Sequence, residues 1–296
     1  AMIFPLMMVV SMVGMLANGG RSGGTRTAEA NEDRKDYLRY LDQLRREVTD
    51  TAHEQRRALE WSHPDPALLW TLAGTVRMWE RRSADLDFGH LRVGRGGQRL
   101  ATRLVPPDTG PVEDLEPVAA LSLRRFVRAH SVVQALPTAV SLRGFAAIGI
   151  EGDRGAARSL ARAMLAQACT FHGPDTLQVA VVCGPDTAVE WEWIKWLPHA
   201  QNPVLRDGAG SARTVFGSLF ELETDLATVL AGRSRFVRNA PAGEGAVHLV
   251  VVVDGGVTGS GSGVLDDGLD AVTVLDLSGY ATRLSATRGL RLVVED

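Results

Sequence analysis

The segment from Gly144 to Cys169 constrains the fold of this chain more than any other stretch of its sequence. Residues Phe145 to Ile150 form a short apolar run, with Gly149, Gly152 and Gly155 in and after it, and an Ala-, Leu- and Arg-rich sequence follows. This order predicts a strand, a flexible glycine turn and a helix. It is the outline of a phosphate-binding loop.

The loop lacks the side chains that phosphoryl transfer requires. A working P-loop reads G-x-x-x-x-G-K-[ST], because the Lys binds phosphate oxygens and the hydroxyl binds magnesium. With Gly155 as the last loop glycine, Ala156 and Ala157 occupy the Lys and Ser/Thr positions. Asp153 can instead cap the free amides of the helix start. We therefore predict a degenerate loop without hydrolysis, and its candidate binding residues are Gly149, Gly152, Asp153 and Gly155.

A second element of such a site is a buried strand that ends in Asp. The β-branched run Val247 to Val253 predicts a strand buried on both faces, and Asp254 ends it. Asp254 is the candidate metal residue, but Gly255 and Gly256 follow it and no adjacent carboxylate could activate water. The alternative is that Asp254 only begins the turn after the strand.

Further apolar runs alternate with helical sequences along the C-terminal half. Alternation of this kind predicts an α/β fold with a RecA/P-loop-like parallel sheet and helices on both faces. The predicted strands are residues 138–142, 174–182, 271–277 and 290–294, and a long helix is predicted from Ser211 to Arg238.

The chain begins with an uncharged apolar run from Ala1 to Ala17. Its length is sufficient for a transmembrane helix, which we place at residues 1–18. Arg21 and Arg26 follow, so the positive-inside rule places the C-terminal side in the cytoplasm. A signal peptide is the alternative, but no basic residue precedes the run.

A highly charged sequence from Ala28 to Glu60 follows the apolar run. Its apolar residues recur at helical spacing, which predicts a long helix with a thin apolar stripe and an ion pair between Asp42 and Arg46. The stripe residues are Tyr37, Leu41, Leu44 and Val48. With a second helix predicted from Ala67 to Arg82, residues 19–82 are interpreted as a linker and helical stalk.

Residues 83–296 are predicted to form the degenerate ATPase-like domain. Two strands, 88–93 and 99–105, are expected around a turn at Gly94 to Gly97, and a helix is expected from Asp114 to Val133. Arg124, Arg125 and Arg128 on that helix are either a solvated face or a surface for an acidic partner.

Composition limits the classes of function. The hydrophobic content of 45% allows a large core, and the net charge of −3 gives no reason to expect nucleic-acid binding. Cys169 and Cys183 have no metal-ligand spacing and are predicted to be buried thiols. The Trp-rich segment from Trp191 to Trp196 is expected to anchor a core or an interface rather than to stack bases.

Several segments together resemble the EccC family of type VII (ESX) secretion systems, which are membrane-anchored FtsK/SpoIIIE-like ATPases. The segments are Trp61-Ser-His-Pro-Asp-Pro66, Trp79-Glu-Arg-Arg82, Asp87-Phe-Gly-His-Leu-Arg-Val-Gly94, Gly152-Asp-Arg-Gly-Ala-Ala-Arg158, Trp191-Glu-Trp-Ile-Lys-Trp-Leu-Pro-His199 and His248-Leu-Val-Val-Val-Val-Asp254. The resemblance covers the whole chain and implies the membrane-proximal domain of unknown function, with further ATPase domains following it in the family.

The resemblance also implies a location and partners. It implies the inner membrane, with the soluble domain in the cytoplasm, in a higher-order oligomer with membrane components of the EccB, EccD and EccE types. Secreted helical effector proteins would be bound through downstream domains. No cofactor is expected in this chain, whereas the full-length protein would use ATP and magnesium.

Three functions therefore stay open from the sequence. The first is a membrane-anchoring, force-transmitting part of a secretion motor that does not hydrolyse ATP. The second is a divergent nucleotide-binding or weakly hydrolysing ATPase domain. The third is the arm of an FtsK-like DNA translocase, which the fold allows by analogy only.

Overall fold

The structure is a computed structural model that describes residues 25–105, 117–238, 246–259 and 261–295, with side chains from Asn31 onward. The predicted transmembrane helix at residues 1–18 lies outside this range. Within the described part of the chain, no helix is both long enough and apolar enough to cross a bilayer. The chain divides into two units. The first contains the residues up to Ser62 and the insertion Arg95–Pro137, and the second contains His63–Gly94 and the residues from Thr138 onward.

The first unit is organised around one long helix. Helix α1 (Thr25–Ser62) carries the predicted stripe, and all four stripe residues are buried. They form a small core with Leu100, which directly follows strand β1 (His90–Arg99), and with Ala119 and Phe126 of helix α2 (Pro117–His130). The stripe therefore packs within its own unit. Strand β2 (Val132–Ser141) pairs with β1 in a two-stranded sheet.

The ion pair predicted on α1 is wrong by one position. Asp42 accepts a hydrogen bond from Arg45 at 2.7 Å, three residues on, rather than from Arg46. Residues three and four positions after Asp42 are both its neighbours on the helix surface, so the sequence alone does not show which arginine pairs with it.

The second unit contains a six-stranded sheet in which every pair of neighbouring strands is parallel. Along the chain its strands and one antiparallel hairpin are β3 (Ala147–Gly152), β4 (Leu177–Cys183), the hairpin β5 (Gln201–Asp207) and β6 (Gly210–Arg213), β7 (Val215–Phe216), β8 (His248–Asp254), β9 (Val272–Asp276) and β10 (Leu290–Val294). The order across the sheet is β10-β3-β9-β8-β4-β7.

Helices cover both faces of this sheet, as predicted. The helices are α3 (Arg154–Phe171), α4 (Leu219–Asp225), α5 (Ala227–Leu230), α6 (Gly263–Asp266) and α7 (Thr282–Arg288). On β8, Val250 and Val252 join a core that includes α3, whereas Val251 and Val253 join a core that includes α4 and α7. All of β8 is buried, and each buried Val contributes roughly 1.5–3 kcal/mol.

The turn predicted at Gly94 to Gly97 is wrong, because β1 runs through it as one strand. A Cβ atom on Gly97 would lie 2.9 Å from Oε1 of Gln134 on β2. The glycine therefore allows close approach of the paired strand instead of making a turn.

The helix predicted from Ala67 to Arg82 is also wrong. A 3₁₀ helix, Pro66–Thr71, is followed by turns, and Trp79 has a φ of 60°, which an α-helix does not allow. The Trp79 backbone N–H donates to Thr170 O at 2.8 Å, and its indole N–H donates to Cys169 O at 3.0 Å. Tertiary contacts with α3 thus override the local helical spacing.

The helix predicted from Ser211 to Arg238 is replaced by several short elements. Strand β7 extends the parallel sheet beside β4, and only α4 and α5 are helical. The Ser218 side chain caps α4 by accepting from the Glu221 N–H at 3.2 Å. The apolar spacing did not reveal that Val215 and Phe216 pair with β4 in the sheet. This pairing excludes a continuous helix from Ser211 to Arg238.

Candidate functional site

The predicted glycine turn after β3 is absent, because a single residue connects β3 to α3. β3 ends at Gly152 and α3 begins at Arg154. Gly149 lies within the strand and Gly155 lies in the first turn of the helix. A loop of one residue does not form the cradle of backbone amides that surrounds a phosphate in a P-loop.

The connecting residue, Asp153, caps the helix itself. Its Oδ1 accepts a hydrogen bond from Ala156 N at 2.8 Å, and its carbonyl accepts from Ala157 N at 2.8 Å. A carboxylate here also interacts favourably with the positive end of the helix dipole. The predicted capping role is confirmed, and this carboxylate would repel an incoming phosphate.

Gly152 is fixed by contact with the edge strand β10. Its φ is 112°, and a Cβ atom would lie 2.1 Å from the carbonyl oxygen of Val294, its partner in β10. No other residue fits this position without moving the backbone. The packing of β10 therefore accounts for this glycine without a ligand.

A crevice lies at the carboxyl edge of the sheet, beside the start of α3. Its volume is about 270 Å³, and its lining comes from β3, α3, β8, β9 and α7. Gly149, Gly152 and Asp254 line it, whereas Asp153 and Gly155 do not. Ligands of open α/β sheets bind at this edge, so the crevice is the candidate site.

Asp254 lies at the centre of a hydrogen-bonded cluster in the crevice. Its Oδ2 accepts from Arg158 Nε at 2.7 Å and from Trp191 Nε1 at 2.9 Å, and its Oδ1 accepts from Arg158 Nη2 at 3.2 Å. The hydrogen bond and charge of Asp254 raise the pKa of Arg158, so this guanidinium stays charged. The ion pair neutralises the carboxylate.

This arrangement does not fit a magnesium ion. A cation at Asp254 would have to displace the guanidinium of Arg158, because both carboxylate oxygens are already bonded to it. In the part of the chain that the structure describes, no group of three or more His, Cys, Asp or Glu side chains could hold a metal.

Sequence reasoning missed the two side-chain partners of Asp254 and a third residue, Asp276, that lines the crevice. Arg158 follows the two alanines at the Lys and Ser/Thr positions, and Trp191 belongs to the Trp-rich segment. Asp276 ends β9 as Asp254 ends β8, and its buried carboxylate accepts from the backbone N–H groups of Ser278, Gly279 and Ala281. A second apolar run that ends in Asp was the available signal for Asp276.

The Trp-rich segment forms a 3₁₀ helix, Ala188–Trp196. Trp191 is fully buried and Trp196 is 80% exposed. Arg162 lies over the Trp191 ring and forms an ion pair with Glu190. The prediction of a core anchor is confirmed for Trp191.

The predicted buried thiols are confirmed. Cys169 and Cys183 are both buried and free, and burial raises the pKa of Cys169 to about 12. Neither thiol is available as a nucleophile at neutral pH.

The six-stranded parallel sheet with helices on both faces defines an α/β protein, and this architecture is consistent with a P-loop-like fold. No protein-family model matches the chain. An ESX secretion system protein EccC of Thermomonospora curvata is 44% identical over 290 residues, which are 97% of this chain and 22% of that protein.

Two proteins of Mycobacterium tuberculosis are also similar. The ESX-4 secretion system protein EccC4 is 43% identical over 88% of this chain and 21% of its own length. The ESX-1 secretion system protein EccCa1 is 37% identical over 87% of this chain and 34% of its own length. The predicted resemblance is confirmed, because these relatives are 37–44% identical over most of the chain and are EccC proteins. The chain spans about a fifth to a third of their length.

Proposed function

We propose that this chain is the membrane-anchoring, force-transmitting part of an ESX secretion motor, and that its α/β unit does not hydrolyse ATP. The names of its relatives support a role in ESX secretion. The observation that carries the absence of hydrolysis is the ion pair between Arg158 and Asp254. In a working site the acidic residue would instead be free to hold a metal ion.

Two further features support a site without hydrolysis, and a third supports descent from an ATPase. Ala156 and Ala157 cannot bind phosphate or magnesium through their side chains. The single-residue connection at Asp153 leaves no amide cradle. The strand order supports descent from a RecA-like ATPase, since β9 separates β3 from the strand of Asp254. We infer that this unit kept the fold of an ATPase and lost the ability to hydrolyse ATP.

The anchoring role rests on the N-terminal part of the chain. The apolar run at residues 1–18 would cross the inner membrane, and α1, with 38 residues, would span about 57 Å on the cytoplasmic side. Other membrane components of the system would contact this stalk in a higher-order oligomer. ATP, magnesium and the helical effectors would be handled by parts of EccC outside the segment that this chain matches.

Calorimetric titration of MgATP into the whole chain tests the absence of nucleotide chemistry. We expect no heat of binding at millimolar nucleotide, and none in Asp254→Ala. An intact P-loop ATPase serves as the positive control. Heat that appears with the native chain and vanishes in Asp254→Ala would contradict the proposal, because it would show that Asp254 holds a metal–nucleotide complex.

Anchoring is tested separately by membrane fractionation. The whole chain should remain in the membrane pellet after alkaline extraction, and a chain that begins at Thr25 should be released. Release of both chains would show that residues 1–24 do not anchor the protein.

A divergent nucleotide site is the second candidate, and the crevice favours it. Arg154 lines the crevice, is exposed and has no ion-pair partner among the described residues, so it could bind a phosphate. Titration of ATP without magnesium distinguishes this candidate. Binding that is lost in Arg154→Ala but kept in Asp254→Ala would support a metal-free nucleotide sensor.

A further inference from the structure

Among the described residues, the inserted part of the first unit carries charge of one sign. The described residues between Arg95 and Pro137 include no Asp or Glu, and they include Arg95, Arg99, Arg103, Arg124, Arg125 and Arg128. The acidic residues of the sequence 106–116 lie outside the described range. A cluster of one sign attracts a surface of the opposite sign.

The arginines of α2 differ from Arg39 and Arg45 of α1. Arg39 and Arg45 on α1 each form an ion pair three residues away, with Asp36 and Asp42. By contrast, the exposed Arg124, Arg125 and Arg128 have no ion pair with any described residue. Among the described residues no carboxylate neutralises these guanidinium groups, which carboxylates of another molecule could bind.

Exposed apolar residues lie on the same side of α2 as these arginines. Val118 is 44% exposed and Leu121 is 49% exposed. Positions 118, 121, 125 and 128 recur at the spacing of one helix face. Apolar residues beside arginines are typical of protein interfaces, where Arg is enriched. We call Val118, Leu121, Arg124, Arg125 and Arg128 the arginine face.

The composition of the helix favours a protein over a bilayer. A helix that lies in a membrane interface needs a broad apolar side to insert. Helix α2 has already buried its apolar side, with Ala119 and Phe126, in the core that it forms with α1. Only two large apolar side chains of α2, those of Val118 and Leu121, remain exposed for insertion. Nucleic acid is disfavoured by those same two residues, because a phosphate backbone gives them no apolar partner.

We infer that the arginine face docks an acidic, partly apolar segment of another protein. Carboxylates of the partner pair with the three arginines, and an aliphatic side chain packs on Val118 and Leu121. This surface lies in the unit formed by α1 and α2, so the inference does not depend on nucleotide binding elsewhere.

The test uses the whole chain and a fluorescent helical peptide with Glu and Leu on one side. We expect this peptide to bind more tightly than its Gln counterpart, and to weaken as salt rises. The triple variant Arg124→Glu, Arg125→Glu and Arg128→Glu should lower its affinity about tenfold, since each exposed ion pair contributes about a factor of two. Leu121→Ser should weaken binding of the Glu peptide and of the Gln peptide alike.

A matched triple variant controls for overall charge. It replaces Arg206, Arg213 and Arg283 by Glu, all three of which are exposed residues of the second unit. Equal loss of affinity in both triple variants would overturn the inference, because it would show that only net charge matters. It would also be overturned if the peptide did not bind while phosphatidylglycerol vesicles or duplex DNA bound in a manner that required the α2 arginines.

Discussion

Arg158 and Asp254 form a bidentate ion pair across 96 residues of sequence, with Nε 2.7 Å from Oδ2 and Nη2 3.2 Å from Oδ1. The Asp254 side chain is 8% exposed and that of Arg158 is 17% exposed. Loss of one partner leaves a buried charge without compensation. We expect Arg158→Met to lower the free energy of unfolding in urea by about 3 kcal/mol.

The exposed pair between Arg291 and Glu151 is the matched control. Its nitrogen–oxygen distance is 2.6 Å, but both side chains are largely exposed. Water screens such a pair, so Arg291→Met should cost less than about 1 kcal/mol. Equal costs for the two variants would show that the Asp254 pair is not held by burial.

Gly152 should not tolerate any side chain. The left-handed φ and the contact with Val294 O lead us to expect that Gly152→Ala destabilises the chain by about 3 kcal/mol. Gly149→Ala is the control in the same strand. Its Cβ atom would be 3.5 Å from Ser285 Oγ, an ordinary contact, so its stability should be unchanged or higher. Thermal and urea unfolding of both variants measures the difference.

Asp153 should act as a helix cap whether or not a ligand is present. Asp153→Ala removes the acceptor for Ala156 N and is expected to cost about 1 kcal/mol. Asp153→Asn keeps an acceptor oxygen and should restore most of that stability. If Asn is as destabilising as Ala in urea unfolding, then charge, and not the hydrogen bond, is what the helix start requires.

Buried histidines should make the second unit sensitive to acid. Desolvation lowers the pKa of His172 to about 4 and that of His248 to about 3, with nearby arginines adding to both shifts. His172 Nε2 accepts from Gly89 N at 2.9 Å, so a proton there would break this bond. His63 is shifted to about 4 in the same way.

The sign of the pH dependence follows from these shifts. Between pH 6.5 and about 4 the unfolded chain binds protons at these histidines and the folded chain does not. The free energy of unfolding should therefore be highest above pH 6.5 and fall with decreasing pH, by about 3 kcal/mol for His172 alone. Urea unfolding at a series of pH values measures this slope.

A variant of His172 separates this cause from general acid sensitivity. His172→Gln should flatten the slope, and the same change at the exposed His53 is the matched substitution control. An unchanged slope in His172→Gln would show that other groups carry the pH dependence.

The sequence predicted the sheet better than the helices around it. The runs that became β3, β4, β8 and β9 are predominantly apolar, because both faces of these strands are buried. The edge strand β10 was also predicted, although its sequence includes the exposed Arg291. The stripe on α1 was equally clear. The secondary-structure prediction was wrong where contacts distant in sequence override the local helical spacing. Trp79 is an example, because its backbone and side-chain N–H groups donate hydrogen bonds to α3.

The sequence predicted where the candidate site lies but not the hydrogen-bond partners of its residues. Asp254 was found because it ends an apolar run, and Asp153 because Asp is a preferred cap. Their partners were not predictable, since Arg158 and Trp191 reach Asp254 only after α3 and the Trp-rich segment pack on the sheet.

The sequence by itself determined that the chain is an α/β protein related to EccC and that Lys and Ser/Thr are missing at positions 156 and 157. Those properties are local: they depend on residue type and spacing along the chain. Tertiary structure alone decided that Asp254 is neutralised by Arg158, that Gly152 serves the packing of β10, and that the arginines of α2 form no ion pair with any described residue. Each of these depends on which distant groups the fold brings within a few ångströms, where burial makes charge pairing and close packing energetically decisive.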